Sequence, residues 1–311
     1  MNVLFFKYAI EVERTRSISQ AAENLFMAQP NLSKAIKEME DTLGFNIFER
    51  SSKGVIPTVQ GKEFLVYARN IVSQLEKIDS IAKPNSAELQ SLKVSIPRGT
   101  YVAYGMANFV LGLDMSKGID INVQETNSVQ TINNIAGGQY GIGIIRYQTK
   151  YEKYFLDFLS EKDLRYETIW EFDSLILFSK EHKLANQPDI RYEQLADYIE
   201  IMHGDNIVPY LSASDGRNYE NHRTDKRICL YERCNQFELL TKVPTTYLWV
   251  SPMPDDILKR YDLVQRRCIT ENRRSKDVLI YPSGYKLTSM DKKFIDKLYE
   301  AKNEVAFENY E

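Results

Sequence analysis

The chain has 311 residues, 43% of them hydrophobic and 27% charged, with a formal net charge of −3. That leaves room for two or three domains with ample cores and argues against a protein that coats nucleic acid through bulk positive charge. Three cysteines without a CxxC pair, no run approaching a membrane span and an N-terminus (MNVLFFKYAIEVER) without the basic-then-apolar order of a signal peptide together predict a reduced, cytoplasmic setting.

Residues 3–14 place Leu4, Phe5, Tyr8, Ala9 and Val12 on one helical face. Ser17, with Gln20 three residues on, opens a short second helix as a capping box, and Phe26 to Ala28 makes a turn. Pro30 suits the first turn of a third helix, where its missing N–H is no loss. Leu32, Ala35, Ile36, Met39 and Leu43 give that helix an apolar stripe, and Gly44 is placed to end it in a left-handed conformation. Gln29, Asn31, Ser33, Lys34 and Lys37 lie on the opposite face near its N-terminus. These side chains bond base edges and phosphates, and there the helix dipole is positive. Two helices joined by a three-residue turn, the second bearing such a face, form a helix-turn-helix suited to a major groove. An ordinary helical hairpin with a solvated polar face fits the same spacing.

FNIFER, SSKG and VIP then read as a hairpin. On a helix-turn-helix it is a wing, with Arg50 and Lys53 along the DNA backbone or minor groove; otherwise these are two solvated loop charges. Acidic and basic side chains balance over residues 1–60, so a basic footprint survives only at Lys34, Lys37, Arg50 and Lys53. Thr58 caps a long helix running to about Lys83 and stopped by Pro84. Its Phe64, Ala68, Ile71, Leu75 and Ile78 alternate four and three apart, a heptad seam that predicts a dimerisation helix. PNSAELQS, at 84–91, reads as a hinge.

Short apolar runs and helices alternate from there, predicting parallel β units. Strands are expected at 92–96, 119–123 and 141–145, with helices over 101–113 and 128–136. A second series begins near Arg165, with strands at 175–179, 199–202, 228–231 and 247–251 and a helix over 236–242. A strand at 277–282 and a helix from Ser289 to Glu304 close the chain. The expected domains are thus 1–58 (winged helix-turn-helix), 59–90 (linker helix and hinge) and 91–311. The last divides into lobe 1, about 91–146 and 270–311, and lobe 2, about 165–266, with crossings near 146–165 and 265–276. Ligands of open α/β sheets bind at the carboxyl ends of strands, which here points to Arg98, Thr100, Tyr101, Asn127, Ser128, Met202, His203 and Pro252. Thr100 and Ser128 equally suit helix caps, and His203 an ordinary hydrogen-bonded histidine.

The order of parts resembles a LysR-type transcriptional regulator over the whole length. The residues that carry the resemblance are Leu4, Phe5, Ser17, Ser19, Ala21, Ala22, Leu25, Gln29, Pro30, Ser33, Ile36, Glu40, Leu43, Gly44, Phe48, Arg50, Thr58 and Gly61. The resemblance implies a winged helix-turn-helix, a linker-helix dimer that commonly becomes a tetramer, and a two-lobed α/β effector domain like a periplasmic binding protein. It also implies that Gln29, Pro30, Ser33 and Lys34 face DNA, with Arg50 on the wing. The chain departs from the family pattern in four places: Ala28 stands where a Ser or Thr cap is usual, Gly141 where an Asp is usual, the helix after Tyr101 lacks a Pro, and 147–165 is a long crossover.

The reading is a sequence-specific DNA-binding transcriptional regulator modulated by a small-molecule effector held between two lobes. Its expected partners are double-stranded DNA, the effector and further copies of itself, with RNA polymerase as a further candidate. No catalytic residue, metal or cofactor is expected. The alternative is a ligand-binding α/β module or an enzyme without DNA regulation. Against an enzyme, the chain has no HExxH, GxSxG or P-loop and no GxGxxG after a strand.

Overall fold

The computed structural model describes residues 3–51, 54–82, 89–205, 209, 226–231, 236–269 and 273–306. These fall into two compact units, 1–89 with 136–139, and 90–135 with 140–311.

The first unit opens with α1 (Val3–Thr15), α2 (Ile18–Asn24) and α3 (Gln29–Leu43). Ala9, Val12, Ala21, Ala22, Leu32, Ile36 and Met39 form its core, which is the apolar stripe of each helix turned inward. Only half of the capping box forms. Ser17 Oγ accepts from Gln20 N at 3.3 Å, while the Gln20 amide donates onward to Glu23 and Asn24 instead of back to Ser17. Gly44 does end α3 in the left-handed region, at φ +76°. β1 (Phe48–Ser51) and β2 (Gly54–Pro57) pair antiparallel as the wing.

α4 (Val59–Ala82) follows, and its first turn is held by Thr58, whose Oγ1 accepts from Gly61 N at 2.9 Å and donates to Asn46 O at 2.7 Å. The seam on α4 is shorter than its spacing predicts. Ala68 is already 1% exposed within one chain, and Phe64 packs into the helical core with its ring 5.9 Å from Phe6. Ile71 remains 40% exposed and Leu75 half-buried; the Ile78 side chain lies outside the described residues.

The second unit has two sheets. The first takes β3 (Leu89–Ile96), β4 (Gly118–Glu125), β5 (Ile142–Gln148), β6 (Leu164–Asp173) and, after an excursion, a strand at Arg274–Pro282, in the order β4, β3, β5, Arg274–Pro282, β6. One face is covered by α5 (Thr100–Leu111) and by the closing helix Ser289–Ala306, with Phe109 edge-on to Phe294. The core of the other face joins α6 (Ser128–Ala136) and α7 (Glu152–Glu161) through Ile132, Ile135, Phe155 and Leu159.

The second sheet holds β7 (Leu175–Ser179), β8 (Asp189–Arg191), β9 (Ile199–His203), β10 (Arg227–Leu230), β11 (Thr246–Val250) and β12 (Leu263–Ile269) in the order β10-β9-β11-β7-β12-β8. Helices α8 (Gln236–Lys242) and α9 (Asp255–Arg260) flank it. The strand at Arg274–Pro282 is therefore β13, and Ser289–Ala306 is α10. No helix among the described residues is long and apolar enough to cross a membrane.

Two expectations are corrected here. Residues 152–161 are a helix of lobe 1, and β6 pairs with β13 in the lobe 1 sheet, so lobe 2 begins at Leu175 rather than near 165. The sheets are mixed, not parallel throughout: β3 runs parallel to β5, but β13 runs antiparallel to both β5 and β6. The cause is the excursion itself. The chain leaves lobe 1 along β6 and returns beside it, with Ser174 N donating to Arg273 O at 3.1 Å where the two crossings meet.

His182, in lobe 2, lies 3% exposed between Phe178 and Tyr198, with Nδ1 accepting from Leu184 N at 3.0 Å. Burial pushes its pKa down from 6.5 to about 4. The unfolded chain takes up a proton near pH 6.5 that the folded chain refuses until about pH 4. The contribution is therefore full above pH 6.5 and falls as pH drops through that window, by about 2–3 kcal/mol at its lower end. Acid titration of stability should be flatter in His182→Phe than in the wild type; parallel acid limbs would contradict this assignment.

Candidate nucleic-acid interface and ligand cleft

On α3, Gln29, Pro30, Asn31, Lys34 and Lys37 are exposed and Ser33 is half-buried, so the sequence-chosen face is gathered on one side of the helix. The first turn holds no acidic residue, and its backbone N–H groups carry the positive end of the helix dipole. Ala28 caps the helix with extended φ and ψ (−69°, 135°) but makes no side-chain bond. That backbone suits a serine or threonine cap. Ala28→Ser is expected to raise the stability of this domain by about 1 kcal/mol, seen as a higher urea midpoint; an unchanged midpoint would contradict it.

Beside this face stands the wing, and three bonds fix its position. Glu40, one turn before the end of α3, accepts from Ile47 N at 2.7 Å and Phe48 N at 3.0 Å through one carboxylate oxygen. Val55 N on β2 donates to Arg16 O at 2.9 Å, at the turn between α1 and α2. These bonds tie the hairpin to the end of α3 and to the turn after α1. The backbone of Arg50 sits in β1 opposite Val55, while its side chain and all of Lys53 lie outside the described residues. Sequence reasoning gave Glu40 no role, although an acid near the end of a helix, where the dipole disfavours it, signals a local partner.

A cavity of about 250 Å³ lies between the two lobes of the second unit. Arg98, Thr100, Asn127, Ser128, Met202 and His203 all line it, as the strand-end rule suggests. Two of the chosen residues do not. Tyr101 is fully buried one position further into α5 and donates its hydroxyl to Asp277, and Pro252 is buried just beyond Ser251, which does reach the wall. The sequence reading missed Arg146, Gln148, Glu200, Gln236 and Trp249, which line the cavity together with Ser251 and Arg273.

Arg146 is anchored by a two-pronged ion pair to Asp277, Nε to Oδ1 and Nη2 to Oδ2, both at 2.7 Å. Asp277 is 0% exposed. Burial works against the charge of Arg146, but the adjacent carboxylate outweighs it and raises the guanidinium's pKa. Burial, reinforced by the Asp277 charge, holds the Tyr101 hydroxyl well above its ordinary value.

Across the mouth, Arg98 of lobe 1 grips Asp205 of lobe 2 at 2.6 and 2.8 Å, and Asn127 Nδ2 donates to Asp205 O at 3.2 Å. Burial of Asp205 opposes its ionisation, yet the Arg98 bond and charge hold its carboxyl below the usual range. Ser128 does not offer its hydroxyl to the cavity: Oγ donates to Arg146 O at 2.6 Å and accepts from Arg146 N at 3.0 Å.

Residues 5–62 match the family of bacterial regulatory helix-turn-helix proteins, lysR family. The uncharacterized HTH-type transcriptional regulator YcgK of Bacillus subtilis is 34% identical over 101 residues, 32% of this chain and 31% of its own length. The chain spans between 27% and 60% of the length of these curated relatives, less than two thirds in each case. The full-length fold extends the likeness. Full-length OxyR from Pseudomonas aeruginosa superimposes with a TM-score of 0.61 at 16% identity, over 100% of this chain and 99% of that one. Full-length CbnR, solved in complex with its target DNA, superimposes with a TM-score of 0.57 at 15% identity, over 97% and 100%. Residues 5–62 thus match the helix-turn-helix domain of the lysR family, and the chain that carries them has the fold of these full-length proteins.

Proposed function

We propose that the protein is a cytoplasmic, sequence-specific DNA-binding transcriptional regulator whose activity answers to a small molecule held between the two lobes. The observation that carries the reading is the exposed polar start of α3, free of acidic residues and locked to the wing by Glu40. Gln29, Asn31 and Ser33 are placed to read base edges, and Lys34 and Lys37 to meet phosphates. The exposed Ile71 of α4, with half-buried Leu75 one turn on, supports a dimer, which presents two recognition helices to half-sites about 34 Å apart or a multiple of it. A ligand that binds one closure of the lobes better than another shifts the population of those closures, and that is all regulation requires.

Selection from a random duplex pool tests the reading. The full chain is expected to enrich a dyad of half-sites, and a Ser33→Ala/Lys34→Ala variant to enrich none. No enrichment by the wild type, or equal enrichment by both, would overturn it.

A further inference from the structure

Four buried side-chain atoms on the cavity wall have no hydrogen-bond partner among the described residues: Gln148 Oε1, Gln236 Oε1, Trp249 Nε1 and Ser251 Oγ. Gln236 and Ser251 are only 5% and 2% exposed. Native proteins leave few buried polar groups unmet, so four around one cavity mark groups that a ligand satisfies. The indole is a donor only, the hydroxyl donates or accepts, and each carboxamide can present either its oxygen or its nitrogen. Their natural counterpart is a neutral group that both donates and accepts.

The charges on the wall set the rest of the ligand. Arg146 is matched by Asp277 and Arg98 by Asp205, so both are neutralised within the chain. Arg273 has no carboxylate within ion-pair distance among the described residues. Its guanidinium lies over the Trp249 ring, 4.1 Å from the centroid. That stacking leaves its N–H groups for a carboxylate. Glu200, 3% exposed on the same wall, opposes a second negative charge.

We propose that the cleft takes a small monoanion: one carboxylate held by Arg273, and an amide or similar neutral group met by Trp249, Ser251, Gln148 and Gln236. Asp205 acts as a built-in second carboxylate, occupying Arg98 so that a dianion is excluded. The cavity volume of about 250 Å³ corresponds to roughly eight waters, which sets the ligand's size. The proposal rests on the cleft being the ligand site.

Thermal unfolding of the full chain with three probes of similar size tests it: succinamate (carboxylate plus amide), succinate (two carboxylates) and hexanoate (carboxylate plus an apolar tail). Binding to the folded state raises the midpoint with ligand concentration. Only succinamate is expected to do so in the wild type. Its apparent affinity should fall about tenfold in Trp249→Phe, which keeps the ring and loses the donor, and similarly in Ser251→Ala should the first variant fold poorly. Asp205→Asn, by freeing Arg98, should admit succinate.

A larger shift with succinate or hexanoate in the wild type would overturn the ligand class and leave the cleft as a ligand site. A succinamate shift untouched by both cleft variants would also overturn the proposal. No shift with any probe, in the wild type and in Asp205→Asn alike, would overturn both the ligand class and the cleft reading.

Discussion

Asp277→Ala is expected to lower the stability of the two-lobed unit by about 3–5 kcal/mol, the largest loss from any single side chain of the cleft. Asp277 is fully buried beneath the cavity, receives both prongs of Arg146 and accepts the Tyr101 hydroxyl. Removing it strands a guanidinium that is enclosed by Phe172, at 5.0 Å from the ring centroid, and by Tyr101. The loss measures the stranded charge more than the worth of the pair. Accordingly, Asp277→Leu combined with Arg146→Met should recover most of the stability, since an apolar pair of similar volume carries no desolvation penalty. Urea unfolding of the single and double variants checks this. Additive losses in the double variant would contradict the assignment of a coupled buried pair.

Gly61→Ala should be the most damaging small substitution in the N-terminal domain. A Cβ at Gly61 would stand 1.9 Å from Ile47 O, a backbone atom that also accepts from Thr58 N at 2.9 Å. Neither partner is a flexible side chain, so the start of α4 and the residue leading into the wing must move apart. Overpacking of this kind costs about 1–3 kcal/mol and occasionally more, and the backbone contact puts Gly61 at the upper end. Because Ile47 N and Phe48 N are also the atoms held by Glu40, the displacement reaches the geometry between wing and α3. Gly61→Ala is therefore expected to lower both the thermal midpoint and the DNA affinity, while Gln60→Ala, one residue away and exposed, changes neither. Equal behaviour of the two variants would contradict the account of this junction.

The N-terminal domain was readable from sequence because its determinants are local. Pro30 in the first turn, the stripe from Leu32 to Met39 and Gly44 at φ +76° each act within one helix. The second unit was readable where strands are buried runs, as in Leu175–Ser179, all five of whose residues are buried. It was not readable at β6. Arg165, Tyr166, Glu167 and Thr168 are all exposed on an edge strand, so no apolar alternation announces it, and the boundary between the lobes was placed too early.

The cleft follows the same division. Arg98, Asn127 and Met202 could be found from strand ends alone. Arg146, Gln148 and Arg273 come together only when β13 returns beside β5, pairing Ser275 with Gln148. One signal was present in the chain itself. Asp277 heads the apolar run DVLIYP, and Arg146 follows GIGII; an acid and a base at the ends of two buried strands need each other.

The most direct test of the central reading is a footprint of the purified protein on the DNA upstream of its own gene, at 50 and 200 mM salt, beside the Ser33→Ala/Lys34→Ala variant. A discrete protected site with dyad half-sites is expected, lost in the variant and weakened by about 10³ or more between the two salt concentrations if six or more phosphates are contacted. Protection that is indifferent to Ser33 and Lys34, or none on this DNA or on a random pool, would contradict the assignment of α3 as the recognition helix.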